Sequence, residues 1–273
     1  MKHRELKADI EARFSDIDKR LCRVLDGFDP EDIHLFRVEV KKLRALLYML
    51  NSEHGSLIVR RKLPQRLRKF YHFAGDVRTL QLQRQYILNA LKGTGHAQPW
   101  TYLNSLDIVM TDKMGRAREL LHGHHTFQKE KEYILEGLPE RVGRKLPDRY
   151  TDKQIHAFWR QVSIDPPDEK ALHEARRILK DLLYNWQYFD TYTIEKVTES
   201  ISGKNNIQTL ANLLGIIHDA ATGVSLLNDE SIQHITGERE RMLLLAIKEQ
   251  WAQEKDRVKQ EIYEQLFISN HHV

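Results

Sequence analysis

Cysteine is nearly missing from this chain of 273 residues. Cys22 is the only one, which excludes an intrachain disulfide and any zinc site built from cysteines. Glycine (13) and proline (7) are scarce. No G-x-x-x-x-G-K-[ST] and no G-x-G-x-x-G occurs, so the two common glycine-rich phosphate loops are excluded. Runs of alternating β-branched residues are missing, and no apolar run approaches the ~18 residues of a membrane span. The opening "MKHRELKADIEARF" lacks the apolar stretch of a signal peptide, so a cytoplasmic protein is expected.

Leu, Ala, Glu, Lys, Arg and Gln dominate instead, all good helix formers. Formal net charge is only +4, but it is unevenly spread. Residues 34–78 hold eleven Lys/Arg, Arg60, Arg61 and Lys62 among them, against Glu39, Glu53 and Asp76. Residues 190–240 hold three Lys/Arg against eight acids. Such asymmetry points to a polyanion docking on one side.

Apolar periodicity predicts an all-α protein. Helices are expected over 3–26, from Asp29-Pro30 to Asn51, over 56–92 with a kink near Gly75, 99–121, 125–145 and 152–162. "SIDPPDEK" reads as the clearest linker, with Asp168 as a cap for the next helix. Long helices should then cover 169–190, 205–228 and 237–268, leaving "NHHV" as a tail.

The stretch "HLFRVEVKKLRALLYML" (34–50) carries a straight row of cations. At 100° per residue, His34, Arg37, Lys41, Arg44 and Tyr48 fall within about 80° of one another. Leu35, Val38, Leu43, Ala45, Leu46, Met49 and Leu50 lie elsewhere. No acid interrupts the row, whereas ordinary surface helices interleave Glu with Lys. Glu39 falls on the apolar side and should meet a cation from a neighbouring helix, because an unpaired buried carboxylate is costly. A row of spaced cations suits a long linear polyanion.

A second stretch, "HEARRILKDLLYNWQYF" (173–189), repeats the pattern: His34 aligns with His173, Arg37 with Arg176, and Lys41 with Lys180. Further on, "FAGDVRTLQL" (73–82) aligns with "LLGIIHDAAT" (213–222), pairing Gly75 with Gly215 and Arg78 with His218. The two offsets are 139 and 140 residues. The reading is a duplicated helical unit: a first bundle at 1–146, a linker with a short helix at 147–168, and a second bundle at 169–273.

"DPEDIHLFRVEVKKLRALL" and "LHEARRILKDLLY", each followed by Gly-x-x-[Arg/His], resemble the CHAD domain, a family named for conserved histidines and α-helical content. The resemblance covers about residues 5–268. It implies two pseudo-twofold-related antiparallel helical bundles that bind inorganic polyphosphate without catalysis, on a basic surface or central pore lined from both repeats. It also implies association with polyphosphate granules and their proteins. The implied site comprises His34, Arg37, Lys41, Lys42, Arg44, Arg68, Lys69, Arg78, Arg116, His173, Arg176, Arg177, Lys180 and His218. Asp181 and Leu183 stand where the family usually carries further basic residues. Thr79 replaces a usual acid that Asp219 keeps. A site stronger in its first half is therefore expected.

Neither a cofactor nor a metal is expected. The E-x-E-x-K strand motif of triphosphate-tunnel enzymes does not occur, and "HGHH" (His122, His124, His125) reads as a polar turn. His34 and His173 sit among cations, which argues for phosphate contact or packing over acid–base work. The alternative function is binding to an RNA or DNA backbone, for which the row offers mainly Tyr48 and Tyr71 as stacking surfaces.

Overall fold

The computed structural model describes residues 3–52, 63–163, 167–202 and 206–264, leaving out the side chains of Ser202 and Asp229. The described residues are overwhelmingly helical and include no β-strand. The helices are α1 (His3–Gly27), α2 (Pro30–Asn51), α3 (Gln65–Leu91), α4 (Trp100–Leu121), α5 (Gln128–Glu136), α6 (Leu146–Val162), α7 (Glu169–Tyr184), α8 (Thr191–Ser202), α9 (Ile207–Leu226), α10 (Asp229–Gln233) and α11 (Glu238–Tyr263), with a 3₁₀ turn at Trp186–Tyr188. Among them none is long and apolar enough to cross a membrane. Arg60, Arg61, Lys62, part of "SIDPPDEK" and the "NHHV" tail lie outside the described residues.

Local chemistry sets most boundaries. Asp29 accepts hydrogen bonds from the N–H groups of Glu31 and Asp32, and Pro30 opens α2. Asp168 Oδ1 accepts from Ala171 N at 2.7 Å and caps α7 as expected. In the described chain α3 starts at Gln65, just after Pro64, and runs unbroken through Gly75. Three expectations are corrected. The helix expected over 169–190 stops at Tyr184, and a 3₁₀ turn at Trp186–Tyr188 follows it. The helix expected over 125–145 is only α5, because "GLP" (137–139) ends it; Pro147 then sits in the first turn of the longer α6. An unforeseen helix, α8, forms from "TYTIEKVTESIS", with Asp190 Oδ1 capping Thr193 N at 2.8 Å.

The chain divides into two compact units. Unit 1 comprises Met1–Gln81, Ile108–Asp152 and Tyr184–Phe189; unit 2 comprises Leu82–Asp107, Lys153–Leu183 and Asp190–Val273. In unit 1, α1 packs on α2 and α5. Its buried stripe of Leu6, Ile10, Phe14, Ile17, Leu21 and Val24 follows helical spacing. Against it α2 buries Ile33, Phe36, Val40, Leu43, Leu47 and Leu50. Phe36 meets Phe70 of α3 edge-on, with centroids 5.2 Å apart. Each such side chain contributes ~1.5–3 kcal/mol when fully buried. Leu35 and Val38, assigned to the core from their wheel position, stay half-buried.

In unit 2, α9 packs on α11 and α8. α8 faces this core with Thr193, Val197 and Ile201, one every four residues. Gly223 of α9 seats the ring of Trp251 from α11, where a Cβ would fall 2.9 Å from the indole. Tyr102 ties three helices together: its hydroxyl donates to Leu226 O at 3.2 Å, and its N–H donates to Glu240 Oε1 at 2.9 Å.

Candidate functional site

Because α2 buries one side, its cationic row is carried along the remaining strip. His34 is exposed, and Arg37, Lys41 and Arg44 are half-buried. α3 lies alongside. Its residues Arg68, Tyr71, Gly75 and Arg78 share one face by helical spacing. Arg37 reaches that face. Its Nη1 donates to Tyr71 O at 2.7 Å, its guanidinium lies 4.3 Å from the Tyr71 ring centroid, and it rests where a Cβ of Gly75 would fall 2.1 Å from Nη1. The tight seat explains why a glycine stands at position 75.

The electrostatics of this cluster are those of crowded cations. Burial lowers the Arg37 pKa; Tyr71 and Asp76 oppose this, while Arg44 and Arg78 add to it. Asp76 itself is held by Lys113 at 2.7 Å. His34 is exposed, yet partial desolvation still lowers its pKa. Glu31 pulls the other way, and Arg78, Lys41 and Arg37 lower it further. His34, Arg37, Lys41, Arg44 and Arg78 thus act on one another as a group.

Unit 2 has a smaller version. Arg176 lies against Gly215, where a Cβ would be 3.5 Å from Nε, and that buried Nε has no hydrogen-bond partner. Burial lowers the Lys180 pKa, helped by Arg176. His173 and His218 approach through their Nδ1 atoms at 3.2 Å. Arg176, Lys180, His173 and His218 are therefore together.

The remaining candidates stand apart from these rows. Lys42 pairs with Glu39 of its own helix at 2.8 Å. The cation expected on Glu39 from a neighbouring helix is thus supplied from three residues away. Arg177 binds Glu174 and lies 4.0 Å from Asp181, whose side chain is only 3% exposed. Asp181 therefore occupies the flank, with a cation of its own. Lys69 lies on the opposite face of α3 from Tyr71. With His72, Phe73, Asp76, Arg116 and His122 it lines an open cavity of about 550 Å³. Arg116 is held there by Asp112 at 3.0 Å. His122 and Gly123 adopt left-handed backbone conformations (φ 48° and 76°) that end α4. No group of three metal-ligating side chains occurs among the described residues.

Tyr71 and the two glycines were the partners least legible in the sequence. Their contribution is a carbonyl, a ring face and the lack of a Cβ. Gly75 follows His34 by 41 residues and Gly215 follows His173 by 42, and that near-equal spacing was the one available signal.

The profile of the CHAD domain family matches residues 8–228. Comparison with curated proteins gives no match. Among solved structures, the fold is similar to the crystal structure of the CHAD domain from the plant Ricinus communis. The TM-score is 0.70 at 16% identity, covering 96% of this chain and 91% of that one. It is also similar to PptA from Streptomyces chartreusis, with a TM-score of 0.67 at 13% identity, covering 96% of this chain and 99% of that one.

Proposed function

The chain belongs to the CHAD domain family, and from that premise we propose that it binds inorganic polyphosphate without catalysis, through the basic clusters of its two units. One observation carries this reading. His34, Arg37, Lys41, Arg44 and Arg78 are held together in unit 1, and Arg37 and His34 have pKa values lowered by burial and by their cationic neighbours. Crowding like charges costs stability, and a polyanion lying along the row relieves that cost while gaining charge-assisted hydrogen bonds. The two clusters share Arg37 on Gly75 and Arg176 on Gly215. This supports a duplication, with repeats at 1–146 and 169–273 joined by 147–168. Association with polyphosphate granules in the cytoplasm is part of the same proposal.

The test is a binding isotherm for long-chain polyphosphate at two salt concentrations, with single-stranded RNA as competitor. Affinity should fall steeply with salt, by analogy with the log–log slope of roughly −0.7 per neutralised phosphate in single-stranded nucleic acid. It should persist in the presence of a chelator. RNA competing equally at equal phosphate concentration would transfer the site to nucleic acid, and affinity indifferent to salt would remove direct cation contacts.

A further inference from the structure

Two imidazoles face each other in unit 2. Their Nδ1 atoms are 3.2 Å apart and their ring centroids 4.6 Å apart, with the planes tilted by 43°. Between neutral rings, one Nδ1 donates and the other accepts. A first added proton keeps that bond and makes it charge-assisted. A second puts a hydrogen on both facing nitrogens and two positive charges at contact, which an anion lying across the pair compensates.

The groups around the pair are already engaged in several directions. On α7, Glu169 precedes His173 by four residues and is held by Lys255 of α11 at 2.5 Å. Glu174 is held by Arg177, while Lys170, Arg176 and Lys180 add positive charge. On α9, Asp219 accepts from the Tyr86 hydroxyl of α3 at 3.3 Å.

We propose that His173 and His218 form a proton-coupled anion site, so that polyphosphate binding in unit 2 takes up protons and strengthens as pH falls. This rests on the polyphosphate reading above. In unit 1 the position aligned with His218 is Arg78, which stays charged, so the response to pH is confined to the histidines.

The experiment is isothermal titration calorimetry of the full chain with long-chain sodium polyphosphate, near neutral pH, in buffers of different ionisation enthalpy. Interior phosphates carry no proton to exchange in this range, unlike terminal groups with a second ionisation near ~6. Any proton taken up therefore goes to the protein. For one proton, affinity should rise by up to about tenfold per pH unit of acidification. H218R should bind at least as tightly as the parent at mildly alkaline pH, with reduced proton uptake. H173Q, altered at an exposed side chain, should also reduce the uptake. H34Q should leave the contribution of the pair in place. Uptake unchanged in folded H218R and H173Q would overturn the inference while leaving polyphosphate binding intact. No binding by the parent chain at any pH would overturn the functional reading itself.

Discussion

The guanidinium of Arg37 occupies the place where a side chain at Gly75 would begin, 2.1 Å from an ideal Cβ. The aligned pair, Arg176 and Gly215, leaves 3.5 Å. The same substitution should therefore act differently at the two glycines. Gly→Ala in a helix interior contributes ~1 kcal/mol of helix stability. At position 215 an alanine fits at ordinary contact distance, so Gly215→Ala should raise the unfolding free energy measured by urea titration by about that amount and leave binding unchanged. At position 75 the alanine displaces Arg37 from Tyr71 O, and losing a charged hydrogen bond of ~1.5–3 kcal/mol offsets the helix gain. Gly75→Ala should be near neutral or mildly destabilising, yet weaken polyphosphate binding. Equal binding by both variants would show that the seat of Arg37 does not matter to the site.

The two cationic rows should contribute unequally. Unit 1 offers Arg37, Lys41 and Arg44; in unit 2 Leu183 stands where Arg44 would be. Replacing Arg37, Lys41 and Arg44 by alanine should cost more affinity than replacing Arg176, Arg177 and Lys180. Loss of Arg44, which has no cationic counterpart, should account for roughly tenfold, or ~1.4 kcal/mol. Arg177 flanks the buried Asp181, so its removal should lower thermal stability more than binding. Isotherms and melting curves on both triple variants and on Arg177→Ala alone decide this; matching losses of affinity would refute the asymmetry.

Alkaline stability should depend on Tyr188. Its hydroxyl donates to Asp9 and accepts from Arg13 Nη2 at 2.9 Å. Burial, followed by the bond to Asp9, pushes its pKa up to about 12, against the opposing pull of Arg13. The folded state therefore favours the neutral phenol. The associated stability is complete below the unfolded value near ~10 and is lost as pH rises from there through about 12. Tyr188→Phe should be less stable at neutral pH by ~1 kcal/mol and should lose less on going to alkaline pH. Thermal melts across that range measure it; parallel pH profiles for the two proteins would contradict the assignment.

Helix class, most boundaries and the cationic row were legible in the sequence because each depends on neighbours within a turn or two. The 3.6-residue period places His34, Arg37, Lys41 and Arg44 on one strip whatever lies beside it. Asp29-Pro30 and Asp168 cap their helices through local hydrogen bonds. Tertiary packing decided what local preference left open. The β-branched "TYTIEKVTESIS" is a weak helix former, and it folds as α8 because Thr193, Val197 and Ile201 find a core to enter. Lys69 and Arg78 are both basic residues of α3, but only the position of α2 separates the row-facing side from the cavity-facing side. The meeting of His173 with His218, 45 residues apart, arises from no periodicity in either helix. It exists because α7 and α9 are brought side by side, and side-chain chemistry across such a gap is set by packing, which a one-dimensional pattern does not contain.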